Sequence, residues 1–263
     1  MLKDILRRSG ALLTGAVLLT PAGCGVTESS TSSEEEPTTV VQEQERPLTH
    51  EDDHSVLFIL SGSGDVPGTF VLMRSVPVDG ELVFAGIPSN SADESGGRTR
   101  VLSESFEQGG GPSAESFVEN VLDIDIDWYM TLEPETFVQL CDMASGGGSP
   151  SGREILAQVT DTSSGTEQER ADKAAEIIIN MVESAGGDYL ADNIDGAFPI
   201  ISRGSDNDIS QSDFDGKSYA IKSVLRSGNT GDSYRFEGVS TDSDSLFSID
   251  DESAAEFREK YYK

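Results

Sequence analysis

An Asp79-Gly80 pair separates two β-rich runs, residues 70–78 and 81–87. Asp-Gly accepts the positive φ angles of a tight turn at little cost, so the two runs are expected to fold back on each other as a hairpin with both turn positions at positive φ. The apolar run SVLFIL at residues 55–60 precedes them and reads as a buried strand. Downstream the period changes. Ala114, Phe117, Val118, Val121 and Leu122 recur at helical spacing behind Gly109-Gly110-Gly111-Pro112, which predicts a helix from about residue 109 to 122. Residues 124–132 read as a strand. Pro134 opens a helix that turns Phe137, Val138, Leu140 and Cys141 inward. Thr166 and Glu169 form a Thr-x-x-Glu capping box ahead of a long helix to about residue 185. Helical pieces at 188–194 and 213–226, a strand at 234–239, and a last helix capped by Asp250 or Asp251 complete the chain. Alternating strands and helices favour an α/β sandwich with a mixed sheet.

The 263 residues carry 18 Lys and Arg against 48 Asp and Glu, a net charge of −30. Phosphate contacts need basic side chains, so this balance excludes nucleic acid as a partner. Two cysteines exclude a disulfide scaffold. Hydrophobic residues make up 36%, enough for one core of about 200 residues. Residues 1–24 read as a secretory signal: Lys3, Arg7 and Arg8 precede an apolar stretch at 11–20 that is too short to span a bilayer of about 30 Å. Pro21-Ala22-Gly23-Cys24 follows and resembles the lipobox of bacterial lipoproteins, with Cys24 as the lipidated residue. Two or three acyl chains there would anchor the protein firmly to the cytoplasmic membrane from outside, where one chain is marginal. The alternative is a secreted protein with a stray cysteine. Residues 25–53 hold nine acids and one base, and are expected to be a disordered acidic tether. That leaves residues 54–263 as the domain, with a net charge of −24.

The order of pieces in this domain resembles the LytR-CpsA-Psr family of cell-envelope proteins. Four stretches carry the resemblance: GTFVLMRSVPVDGELVFAGIPSNS from Gly68, RVLSESFEQGGGPSAESFVENVLDIDIDWYMTLEPETFVQLCDMASGG from Arg100, SGREILAQVTDT from Ser151 and EQERADKAAEIIINMV from Glu167. The closing GVSTDSDSLFSIDDESAAEFREKYY is similar to the family's last strand and helix. The resemblance implies a three-layer α/β sandwich, a central mixed β-sheet flanked by helices. It also implies an extracytoplasmic protein that moves a glycopolymer from a polyprenyl-pyrophosphate carrier onto peptidoglycan. In such a site clustered arginines hold the pyrophosphate, an Asp helps hold Mg²⁺, and an apolar tunnel takes the lipid.

Carried over residue by residue, most of that chemistry is missing. Ser89 stands at the Arg of the family's Ile-Pro-Arg-Asp element, and Gly68 at the Asp of its Asp-Thr pair, before Thr69. Thr160 and Thr162 stand at its Arg-x-Arg pair. Val101 falls at a Lys, with Arg100 one place away. Arg170 is kept, and Lys173 stands for a second Arg. The surviving candidates are therefore Arg170, Lys173 and Arg100. Arg170 and Lys173 also fit a solvated helix face, because Glu167, Glu169 and Glu176 lie at ion-pairing spacings, and Arg98 and Arg100 fit ordinary loop charges.

Other residues have plain readings. Cys141 reads as an inert buried thiol. His50 and His54 bracket the start of the domain, outside the core, with no ligand set around them. Trp128 and Tyr129 read as core residues before sugar-stacking ones. Asp242 and Asp244 lack the Gly and Glu of a Ca²⁺ loop, so no metal site is expected, and Mg²⁺ only if the pocket is active. With both His expected outside the core, a Ser-His-Asp triad is not expected, and no P-loop, Gly-x-Ser-x-Gly or Cys-x-x-Cys appears. The sequence thus points to a degenerate domain that binds an envelope glycopolymer or its polyprenyl-phosphate carrier without efficient transfer. The alternatives are a structural or interaction lipoprotein whose pocket is filled by side chains, and a divergent transferase using Arg170, Lys173 and Arg100.

Overall fold

A computed structural model describes residues 46–262, apart from 61–67, 96, 164, 229–232 and 242–243. The signal, Cys24 and most of the tether lie outside the described residues. The described residues begin eight before the expected boundary at 54. Arg46 pairs with Asp52, and a 3₁₀ turn spans His50–Asp52. That ion pair, led by the Arg46 hydrogen bond, lowers the buried Asp52 carboxyl to about 2.

The elements are β1 (His54–Leu60), β2 (Thr69–Val76), β3 (Glu81–Ile87), β4 (Ala92–Asp93), β5 (Arg100–Val101), α1 (Leu102–Leu122), β6 (Trp128–Leu132), α2 (Pro134–Ala144), α3 (Gly152–Val159), α4 (Glu167–Ala185), α5 (Gly187–Asn193), α6 (Ala197–Gly204), β7 (Ser205–Asn207), α7 (Gln211–Ser227), β8 (Ser233–Tyr234), β9 (Gly238–Ser240), β10 (Phe247–Ile249) and α8 (Asp251–Tyr261). One sheet runs in the order β7-β6-β1-β2-β3-β8. The β1/β2, β2/β3 and β6/β7 pairs are antiparallel, whereas β1/β6 and β3/β8 are parallel. It is the mixed central sheet expected from the sequence.

Successive strand residues face opposite sides, so β1 feeds two cores at once. Val56 and Leu60 join Val71, Phe84 and Met130 under α2, α4 and α7. Leu57 and Ile59 join Phe70, Leu72 and Val83 under α1 and α8. This gives three layers, and it explains why residues 55–60 read as a continuous apolar run rather than an alternating one.

Three local expectations change. The hairpin is present, with Val76 opposite Glu81, but its loop has four residues, 77–80, and only Gly80 takes positive φ. Pro77 has no N–H to give the ladder, so the strand stops at Val76 and a pair of turn bonds, Asp79 N–H to the Val76 carbonyl and Gly80 N–H to the Pro77 carbonyl, closes the loop. The first helix starts at Leu102 rather than near residue 109 and breaks at Gly110, whose φ is 67° and ψ −154°. Finally, β6 begins only at Trp128; Ile124 and Ile126 are buried from the loop before it. The α4 capping box is as expected: the Thr166 hydroxyl accepts the Glu169 N–H and the Glu169 carboxylate accepts the Thr166 N–H.

Helix α4 lies directly on β3 at Gly86, where a Cβ would come within 2.0 Å of the Ala171 carbonyl oxygen. Backbone meets backbone there, so nothing flexible can yield. We expect Gly86→Ala to destabilise the domain by about 2–3 kcal/mol in urea unfolding. Gly216 in α7 has open space around it, and Gly216→Ala should instead add about 0.5–1 kcal/mol.

Candidate functional site

The loop ends at the C-terminal side of β3 and the N-terminus of α4 form a cleft of mixed polar and apolar lining. Its walls are Gly68 and Thr69, Ser89, Thr160 to Thr162, Glu167 and Arg170. Of the positions matched from the sequence, Gly68, Thr69, Ser89, Thr160, Thr162 and Arg170 are thus brought together in space, although they come from four separate segments. The cleft is small, about 30 Å³, which is room for one or two waters.

Its electrostatics are set inside the protein. One end of the Arg170 guanidinium pairs with the Glu167 carboxylate and the other donates to the Gly165 carbonyl. The Arg170 Nε is buried without a partner among the described residues. Ser89 Oγ donates to the other oxygen of Glu167 at 2.9 Å. A chain Ser89–Glu167–Arg170 therefore fills the position where three groups could have faced an anion. The α4 N-terminus is an anion-attracting end of a helix. Its Glu167 N–H donates to Asp244 Oδ2 at 3.1 Å, and its Glu169 N–H is taken by the Thr166 cap. Asn90 fixes this arrangement, because its amide donates to the Asp244 carbonyl at 2.9 Å. Asp244 is thus a helix-end partner; Asp242 lies outside the described residues.

The other two cationic candidates are not in the cleft. Arg100 pairs with the buried Asp93 across the β4/β5 hairpin. Lys173 is half-exposed, 3.8 Å from Asp161. Arg98 is an exposed loop residue. Among the described residues Arg170 is the one cation on the cleft wall, against the carboxylates of Glu167 and Asp161.

The residues present do not fit Mg²⁺. A hard cation takes carboxylate and other oxygen ligands. Gly68 offers no carboxylate where the resemblance placed an Asp, Glu167 is committed to Arg170 and Ser89, and Asp161 is held by Ser163 and Lys173. Among the described residues no cluster of His, Cys, Asp and Glu could hold a metal.

Behind the cleft the sheet and helices enclose an apolar cavity of about 240 Å³. Thr69 and Val159 belong to both walls, so the two spaces adjoin. One face of the sheet, Val56, Phe58, Leu60, Val71 and Met130 among others, forms its floor, and α2, α4 and α7 its roof. Cys141 lies in this wall, and burial pushes its thiol up to about 12, in line with the inert reading. Trp128 lines the same cavity half-buried, and Tyr129 is buried on the opposite core.

His54 needs correcting. It is fully buried, the first residue of β1, and part of the cavity wall rather than a tether-end residue. The signal for this was present: positions 54, 56, 58 and 60 share one strand face. His50, half-exposed, stays outside the core beside Asp53.

No protein-family model matches the chain, and no curated protein matches it. Solved structures do. A protein from Eubacterium siraeum described as a transcription regulator aligns at 17% identity over 89% of this chain and 98% of its own, with a TM-score of 0.69. TagV of Bacillus subtilis aligns at 16% over 80% and 95%, with a TM-score of 0.63. TagT, solved bound to LI-WTA, aligns at 15% over 84% and 94%, with a TM-score of 0.61. The chain therefore has the fold of these proteins, the three-layer sandwich that the resemblance implied.

The buried thiol yields a direct check. Cys141 in the folded protein should resist a disulfide reagent at pH 8 and react at once in denaturant. Rapid labelling of Cys141 itself in the native protein, read by peptide mapping, would contradict its burial.

Proposed function

We propose that this chain is a divergent relative of the LytR-CpsA-Psr family, anchored outside the cytoplasmic membrane through Cys24. It binds an envelope glycopolymer or its polyprenyl-phosphate carrier and does not transfer it efficiently. The observation that carries this reading is the pairing of an apolar cavity with a cleft whose single arginine is already neutralised by Glu167.

The physical argument has two halves. Burying a hydrocarbon chain in the cavity gains about 25 cal/mol per Å² of apolar surface removed from water, and this term needs no cations. Transfer from a pyrophosphate carrier needs cations, because negative charge grows on the leaving group. Bringing a phosphate to Arg170 would first require separating Glu167 from it, or placing a second anion beside that carboxylate. Ser89, Thr160 and Thr162 supply hydroxyls in place of charge. The sequence-based alternative of a structural lipoprotein requires a pocket filled by side chains, and the open cavity speaks against it. The transferase alternative requires Arg170, Lys173 and Arg100 to act together, and their separate ion pairs speak against that. Among the described residues no helix is long and apolar enough to cross a membrane.

Two measurements test the reading. Mass spectrometry of lipids extracted from the protein purified from its membranes should detect a polyprenyl phosphate; finding none, together with no binding to wall glycopolymer, would overturn it. Glu167→Ala should free Arg170 and strengthen binding of inorganic pyrophosphate by about tenfold, the worth of one charge-assisted hydrogen bond. Arg170→Ala should not gain.

A further inference from the structure

The cavity has a second end. Residues 54 and 60 terminate β1, and Leu60 is opposite Thr69, which borders the cleft. His54, also in the wall, therefore lies about 20 Å along the strand from that cleft. Trp128 and Lys217 line both the cavity and a shallow surface depression beyond His54, where Arg46 and Asp52 form the rim.

The imidazole of His54 is polar, fully buried and set in the wall of the apolar cavity. Its Nδ1 lies 3.0 Å from the Asp52 carbonyl. A carbonyl oxygen only accepts, so Nδ1 carries the proton. Nε2 is then a bare acceptor, and it has no partner among the described residues. A buried polar atom left unpaired is costly, so it invites a donor. Burial, the largest influence on this ring, lowers its pKa and so favours the neutral form.

The neighbouring charge does not make this end an anion site. The Lys217 ammonium already donates to the Glu51 carbonyl at 2.6 Å and to the Asp53 carbonyl at 3.3 Å. A carboxylate or phosphate oxygen would also meet the Nε2 lone pair head-on. What fits is a neutral donor on an apolar chain.

We infer that this end of the cavity reads a hydroxyl: it takes an amphiphile of the long-chain alcohol class, with the chain along the β1 face and the hydroxyl donating to His54 Nε2. The inference shares the open cavity with the lipid-binding reading, but uses neither Glu167 nor Arg170, so the two can fail separately.

The test compares 1-octanol with its isomer heptyl methyl ether, which has the same atoms and no donor, and with octanoate. Titration of the full domain should give about fivefold tighter binding of the alcohol than of the ether, the worth of one hydrogen bond. In ¹⁵N-histidine spectra the His54 Nε2 resonance should move with octanol and stay with the ether. His54→Leu should close the gap between the two isomers. If His54→Leu fails to fold, the wild-type comparison and the Nε2 resonance still decide. Equal binding of the isomers, a still Nε2 resonance, or preference for octanoate would each overturn the inference.

Discussion

Everything in this domain hangs on a sheet that is apolar on both faces. Strand β1 puts Leu57 and Ile59 into one core and Val56 and Leu60 into the other, so it cannot slip by a residue without exchanging the two sets. That fixed register places His54 at one end of the helical face and the Thr69 turn at the other. Helix α4 is then held against the sheet by the backbone contact at Gly86, which puts its first turn beside Ser89. The cleft and the cavity are consequences of that packing.

The distribution of the net charge of −30 accounts for the state of the cleft. A strongly acidic chain supplies its own anions wherever a cation or a helix end would attract one. Glu167 takes Arg170, Asp93 takes Arg100, Asp161 takes Lys173 and Asp244 takes the first N–H of α4. Each of the three cations singled out from the sequence is thus matched locally. The apolar cavity is independent of this balance, because the walls that form it come from alternate strand residues and inward helix faces.

Much of this was legible in the sequence. The hairpin, the α4 capping box, the last helix and the alternation of strands and helices follow from local rules that the packing leaves intact. The coincidence of Ser89, Thr160, Thr162 and Arg170 in one cleft was reachable only through the family resemblance, since nothing in their spacing brings three segments together. Two things stayed hidden. The pairing of Arg170 with Glu167 was visible as an i,i+3 spacing, but the Ser89 contact that completes it spans 78 residues. His54 was misplaced because the acids before it resemble a tether, while its own strand face was the better guide. The four-residue hairpin loop shows the same limit, with Pro77 overriding the Asp-Gly signal.

The Ser89–Glu167–Arg170 chain has a consequence for how such a domain could change over generations. An arginine introduced at position 89 alone would meet the Glu167 carboxylate, 2.9 Å from the present serine hydroxyl, and be neutralised there. Removing Glu167 alone would expose a lone arginine in an acidic surrounding. Neither step by itself rebuilds a cationic clamp, and each disturbs a bonded, partly buried group. A cationic clamp at this cleft therefore requires paired substitutions, which is a form of epistasis written into three side chains.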